Sequence, residues 1–274
     1  MRAKKLIILY AVVLFLVVFA VTFNCVCAIA RFDVWFEVSS MTEEAQRVQA
    51  RLEEEYGGKS YLFFGQEDVE TIVLEEGGGY LTVESFSKTF PNVIHAEVRE
   101  KLEVLSVKLG DKYYAIDKDN TVLAINDTAV NNVSGNNTAL YGISPRDPDN
   151  PVQVGEKLTV AAKDAEAFAA MLDGYKKMDS VLGGARSNVV AMRYSDDLAD
   201  LEYGGTDLFI EMSEGVCVWI IDPLEDIESK MTRAMEAYLG LGDAQRTYGY
   251  ITVASADGEA DYRAEEPPFS VAEQ

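Results

Sequence analysis

From Leu6 to Ala30 the chain reads LIILYAVVLFLVVFAVTFNCVCAIA, an apolar run with no charged side chain. A stretch this long and this apolar has to be buried, either in protein or in lipid. As a helix it rises about 37 Å, enough to cross a hydrocarbon core of about 30 Å, so the run predicts a transmembrane helix over residues 6–30. Arg2, Lys4 and Lys5 precede it, and the first five residues hold no acid. That bias keeps residues 1–5 cytoplasmic and sends the rest outward. Ala28-Ile29-Ala30 also fits a small-x-small cleavage pattern, so a cleaved signal peptide is the competing expectation, although signal cores are usually shorter. Either way residues 31–274 lie outside the cytoplasm.

The formal charge is -22 and the sequence pI about 4.4. A surface that acidic repels nucleic acid, which sets that partner class aside. Hydrophobic residues make up 48% of the chain, enough to bury a core in one or two domains. Of the three cysteines, Cys25 and Cys27 lie in the apolar run and Cys217 alone lies beyond it. No disulfide within the outer part is expected.

Phe32, Val34, Phe36 and Val38 alternate as one face of a strand. Ser40 and Glu43 have the spacing of a capping box, and Ala45, Val48, Leu52 and Tyr56 follow at helical spacing. A second helix carries Val69, Ile72 and Val73 and ends at Gly77-Gly78-Gly79. Strands follow at Tyr80–Phe86 and from Ile94 to Val104. A one-residue shift of the apolar phase at Val104-Leu105 marks a domain junction. Tyr113–Asp117 and Thr121–Ile125 form a hairpin, and Asn126 to Asn150 reads as a long polar surface loop. Asp164–Leu182 is an amphipathic helix. Four strands are expected at Val189–Tyr194, Leu198–Tyr203, Asp207–Met212 and Val216–Ile221. Asp222-Pro223-Leu224-Glu225 opens another helix, Tyr248–Ala254 is a last strand, and the acid- and proline-rich end reads as a solvated tail.

Enzyme chemistry needs grouped titratable side chains. The only histidine, His95, alternates along a strand with Val93 and Glu97, and Cys217 reads as a small buried hydrophobe. No metal-ligand spacing and no nucleophile elbow is present. No catalytic, cofactor-binding or metal residue is therefore expected, and no cofactor.

The order strand, helix, helix, strand, strand just after an apolar segment resembles a POTRA domain. Phe90-Pro-Asn-Val-Ile-His-Ala-Glu-Val98 through Glu100-Lys101 resembles the segment that closes this domain in the FtsQ/DivIB family. Tyr114-Ala-Ile-Asp117 with Thr121-Val-Leu123, Asp207 to Val216, the helix bearing Lys230-Met231, and Gly249-Tyr-Ile-Thr-Val253 resemble later family segments in order. The chain departs from the family pattern at Asn120, where glycine is usual, at Thr252, where aspartate is common, and at Ala254, where arginine is common.

The resemblance implies an α+β chain. Residues 1–5 are cytoplasmic, 6–30 form the transmembrane helix, and 31–105 form a POTRA-like βααββ domain. Residues 106–262 form an FtsQ/DivIB-type mixed α/β domain with an antiparallel sheet and two flanking helices, and 263–274 form a flexible acidic tail. It implies a non-enzymatic divisome scaffold at the septal cell membrane. The scaffold binds the coiled-coil division proteins FtsB/DivIC and FtsL and helps regulate septal peptidoglycan synthesis. The partner adds a strand along Tyr248, Gly249, Tyr250, Ile251, Thr252 and Val253, near Tyr262. Proline at Thr252 is then expected to disrupt that pairing. The competing class is a membrane-anchored extracellular sensor or ligand-binding domain. An outer-membrane assembly factor would need tandem units or a barrel, and neither is visible.

Overall fold

The computed structural model describes residues 10, 12–19, 21–22, 26–129, 138–196 and 205–271, and the chain divides into two compact units, Met1–Lys101 and Leu102–Gln274. Residues 12–19 form the first helical stretch, α1. Among the described residues no helix is long and apolar enough to cross a membrane, which corrects the expected transmembrane helix over 6–30. Most of the remainder of that run lies outside the described residues. A physical reason is visible at its C-terminal end. Cys27 and Ile29 are buried in the core of the first unit. Ile29 N–H donates to the Lys59 carbonyl (2.8 Å) and Tyr61 N–H donates to the Cys27 carbonyl (2.7 Å). The last residues of the run are thus spent on a protein core. Cleavage after Ala30 would remove two buried side chains and this pairing.

The first unit runs β1 (Arg31–Glu37), α2 (Thr42–Tyr56), α3 (Gln66–Gly77), β2 (Leu81–Thr89) and β3 (Val93–Glu100). β3 is central, parallel to β1 and antiparallel to β2. Phe32, Ile94, Ala96 and Val98 turn one sheet face toward Val48 and Leu52 of α2 and Val69, Ile72 and Val73 of α3. Ser40 does not cap α2, whose N-cap is Met41. Glu100, at the end of β3, takes the serines instead. Its carboxylate accepts from Ser39 N–H (2.6 Å), Ser40 N–H (3.0 Å) and Ser39 Oγ (3.0 Å), and from the Ser40 hydroxyl. A local cap loses here to an anion that satisfies two backbone donors and two hydroxyls at once.

The second unit is a nine-stranded sheet in the order β12-β11-β10-β9-β8-β7-β4-β5-β6. Its strands are β4 (Leu105–Leu109), β5 (Lys112–Ile116), β6 (Val122–Asn126), β7 (Thr138–Tyr141), β8 (Val189–Ser195), β9 (Asp207–Met212), β10 (Cys217–Ile221), β11 (Tyr250–Val253) and β12 (Asp261–Arg263). The sheet is mixed rather than antiparallel, because β4 with β7, β7 with β8, and β10 with β11 are parallel. α4 (Ala165–Leu182) lies in the connection from β7 to β8, and α6 (Ile227–Gly240) in the connection from β10 to β11. The chain is therefore mixed α/β, with nine- and three-stranded sheets, rather than the α+β arrangement inferred from resemblance.

Both crossovers step the same way along the sheet from strands of the same direction. A common crossover hand puts both helices on one face. Phe168, Met171, Tyr175 and Met178 of α4 and Met231, Ala234, Met235 and Tyr238 of α6 share one core with Val107, Leu140, Met192, Ile210, Val218 and Ile251. The helices meet at Gly174, where a Cβ would stand 2.9 Å from Ile227 Cγ1.

Other expectations are corrected in detail. The 126–150 stretch is not all surface loop, since it contains β7, a central strand. α6 starts at Ile227 behind Asp226, because residues 222–226 turn with Asp222 and Asp226 at positive φ (47° and 53°). The Asp222 and Ile221 carbonyls accept from the buried Lys230 Nζ (2.9 and 3.0 Å). The strand expected at 198–203 lies outside the described residues.

The Glu100 cluster sets a pH response. Burial alone would raise this carboxyl, but the Ser40 and Ser39 donors outweigh it and hold the pKa at about 2, below the ordinary 4.5. A depressed folded-state pKa stabilises the fold above the ordinary value and loses that contribution as pH falls toward about 2. Glu100→Gln should be less stable than the parent at neutral pH, and the gap should close on acidification below pH 4.5, measured by denaturant midpoints across that range.

Candidate binding edge

The sheet ends at β12, a three-residue strand. β11 lies inside it, parallel to β10 through Cys217↔Tyr250 and Trp219↔Thr252, and antiparallel to β12 through Tyr250↔Arg263, Ile251↔Tyr262 and Thr252↔Asp261. Cys217 N–H donates to the Gly249 carbonyl (3.1 Å). Backbone groups along a strand face its two neighbours alternately, so Ile251 faces β10 while Tyr250 and Thr252 face β12. Their partners Arg263 and Asp261 therefore turn their N–H and C=O inward. The N–H and C=O of Tyr262 turn outward, where the described residues place no further strand.

The expected partner residues are distributed accordingly. Tyr248 is exposed, ahead of β11, and its carbonyl accepts from Tyr262 Oη (2.9 Å). Gly249 sits at φ +93°, and a Cβ there would stand 2.3 Å from the Arg263 carbonyl oxygen, so the close approach of β12 requires glycine. Ile251 and Val253 are buried in the helix-side core, and Tyr262 packs against its margin. Tyr250 is buried on the opposite face. Thr252 faces β12 with its backbone. Tyr248–Val253 is thus an internal segment, and among the described residues the edge at this end of the sheet is β12.

The face without helices is covered differently. After β12 the chain turns back over the sheet. Phe269 stacks on Phe209 (centroids 4.1 Å apart) and meets Trp219 and Tyr250 edge-on (5.9 and 6.0 Å). Arg193 Nη1 donates to the Ser270 carbonyl (3.0 Å), and Val271 is buried. The described part of 263–274 is therefore a strap and not a flexible tail. Tyr250 Oη donates to Glu265 (3.1 Å), and burial, followed by Glu265, raises this phenol. Arg263 reaches Asp261 (3.2 Å) and Glu265 (3.9 Å). Asp207, buried beneath, accepts from Trp219 Nε1 (2.6 Å).

Other candidate chemistry stays apart. Burial, with Glu211 nearby, pushes the Cys217 thiol up to about 11, which keeps it protonated. His95 belongs to β3 of the first unit, with Nδ1 3.4 Å from Asp33. Among the described residues no group of three His, Cys, Asp or Glu side chains could hold a metal. What the β12 margin offers is backbone hydrogen bonding flanked by charge.

Asp261, Arg263, Phe269 and Val271 were not singled out by sequence reasoning. A signal existed in the alternation of Phe269 and Val271, but Glu265-Glu266-Pro267-Pro268 hides it. Phe269→Ala should cost about 2 kcal/mol, below the range for a fully buried phenylalanine because the ring is only half-buried. The loss should appear as a lower unfolding midpoint together with a changed near-ultraviolet signal from Trp219.

No protein-family model matches the chain, and no curated protein matches it.

Proposed function

We propose that this chain is a non-enzymatic scaffold of the FtsQ/DivIB kind, which takes an extended segment of a partner as a further strand outside β12. The partner is the FtsB/DivIC and FtsL coiled-coil pair, engaged at the septal cell membrane, and the outcome is regulation of septal peptidoglycan synthesis. One observation carries this reading: β12 ends the sheet with the Tyr262 backbone groups turned outward. Strand addition draws its affinity from such main-chain groups and its selectivity from the side chains beside them. A short edge also resists pairing with arbitrary strands, as do charges on it. β12 has both features, in its three residues and in Asp261 and Arg263. The ordered resemblance of the segments from Phe90 to Val253 supplies the identity of the partner.

The test is binding of the full chain to the FtsB/DivIC–FtsL pair of the same organism. Ala264 continues the alternation one step beyond Arg263, two residues from Tyr262, so its N–H also belongs to the outer side. Ala264→Pro removes that donor without touching the ladder to β11. A net hydrogen bond of about 1 kcal/mol corresponds to roughly five-fold in affinity. A loss of that size at an unchanged unfolding midpoint is the expected result. Unaltered affinity in Ala264→Pro, or no binding by the parent, counts against the proposal. Thr252→Pro cuts a rung between β11 and β12, so its first effect should be a lower unfolding midpoint.

A further inference from the structure

We propose that one end of the first unit is a lipid-contacting tip, in which Leu62, Phe63 and Phe90 enter the headgroup region of a bilayer. The three side chains come from two separate turns and are 50%, 89% and 68% exposed. Backbone and side-chain bonds draw their segments to one end of the unit. Tyr61 N–H donates to the Cys27 carbonyl (2.7 Å), Ala30 N–H to the Asn92 carbonyl (3.0 Å), and Lys88 Nζ to the Tyr61 carbonyl (2.9 Å). The tip therefore sits where the chain arrives from the apolar run. Val26 is exposed there, and earlier in the run the apolar side chains of α1 from Val12 to Phe19 are exposed as well. The tip and the end of the apolar run that leads to it are both left uncovered.

The layer behind the tip identifies the occupant. Lys59 Nζ lies 4.7 Å over the Tyr56 ring, and Lys88 Nζ lies 5.2 Å over the Tyr61 ring. Arg31 opens β1 at the same end, paired with Asp33 (3.5 Å), and Asp68 is taken up by the Gly65 N–H (2.6 Å). In a chain of formal charge -22, two tyrosine–lysine pairs back these apolar tips. Apolar tips below, then amphipathic rings and cations, is the layering that suits a lipid interface, where lysine stems run along apolar surface and their charges meet anionic headgroups. A protein partner would have to cover the tip and leave the neighbouring apolar run unexplained. A bilayer surface accounts for both.

The inference rests on the membrane placement in the proposed function, and the experiment separates the two. Full chains with Cys25, Cys27 and Cys217 replaced by alanine carry one new cysteine, at Leu16, Phe63, Phe90 or Leu74, labelled with a polarity-sensitive fluorophore. Leu74 is an exposed apolar control on α3, toward the other end of the unit. The chains are reconstituted with phosphatidylcholine–phosphatidylglycerol vesicles containing lipids spin-labelled near the headgroup. Quenching at 16, 63 and 90, several-fold above that at 74, is the expected result, and Lys59→Glu should lower it at 63. Quenching at 16 alone overturns the tip and leaves membrane placement standing. No quenching at any position overturns both. A blue shift at 63 and 90 that grows with protein concentration without lipid quenching assigns the tip to a second copy of the chain, and also overturns the proposal. Benzoylphenylalanine at 63, in a chain keeping all three cysteines, reads the same contact by photo-crosslinking to lipid.

Discussion

The placement of two helices on one side of the nine-stranded sheet governs the second unit. α4 and α6 each return the chain to a parallel neighbour, and a shared crossover hand leaves no choice of face. Gly174 lets them pack closely above Met192, Ile210 and Val218. Among the described residues the opposite face carries no helix, although Phe209, Trp219 and Tyr250 stand on it. Those rings need a cover, and Phe269 with Val271 supplies it. The strap that covers them continues directly from β12, so the finish of the sheet's edge and the finish of its open face belong to one short piece of chain.

That economy explains which parts of the architecture the sequence could announce. The Phe32–Val38 alternation and the stripes of α2 and α4 are legible because each element buries one side only. β7 is not, because Thr138, Ala139 and Leu140 are buried with no alternation to mark them, and asparagines precede them. Cys27 and Ile29 look the same whether their surroundings are lipid or protein, so the apolar run reads longer than the part left uncovered. Strand direction is invisible along a single strand, and an antiparallel assumption fails wherever a helix returns the chain to a parallel neighbour. At the candidate edge, Tyr248–Val253 is recognisable as a strand. Its interior position depends on Asp261–Arg263, too short to show any period.

The two units handle partly or fully desolvated acids in opposite ways. Glu100 is held ionised by four donors from Ser39 and Ser40. Asp207 has the indole N–H of Trp219, and burial still raises its pKa. The difference is donor number, since an anion taken from water needs several partners to stay charged. Lys230 follows the same logic in reverse, with two carbonyls at the end of β10 taking the place of an acid.

The union of β12 and the strap also has a mechanical side. Tension drawn along β12 toward Phe269 would load its three pairs to β11 together, in shear, rather than peel them one at a time. Six residues beyond Arg263, the Phe269 ring is wedged among Phe209, Trp219 and Tyr250, and Arg193 grips the next carbonyl. Force entering at the edge is thereby passed into β8, β9 and β10, the middle of the sheet. An edge of three residues can in this way bear more load than its own hydrogen bonds would allow.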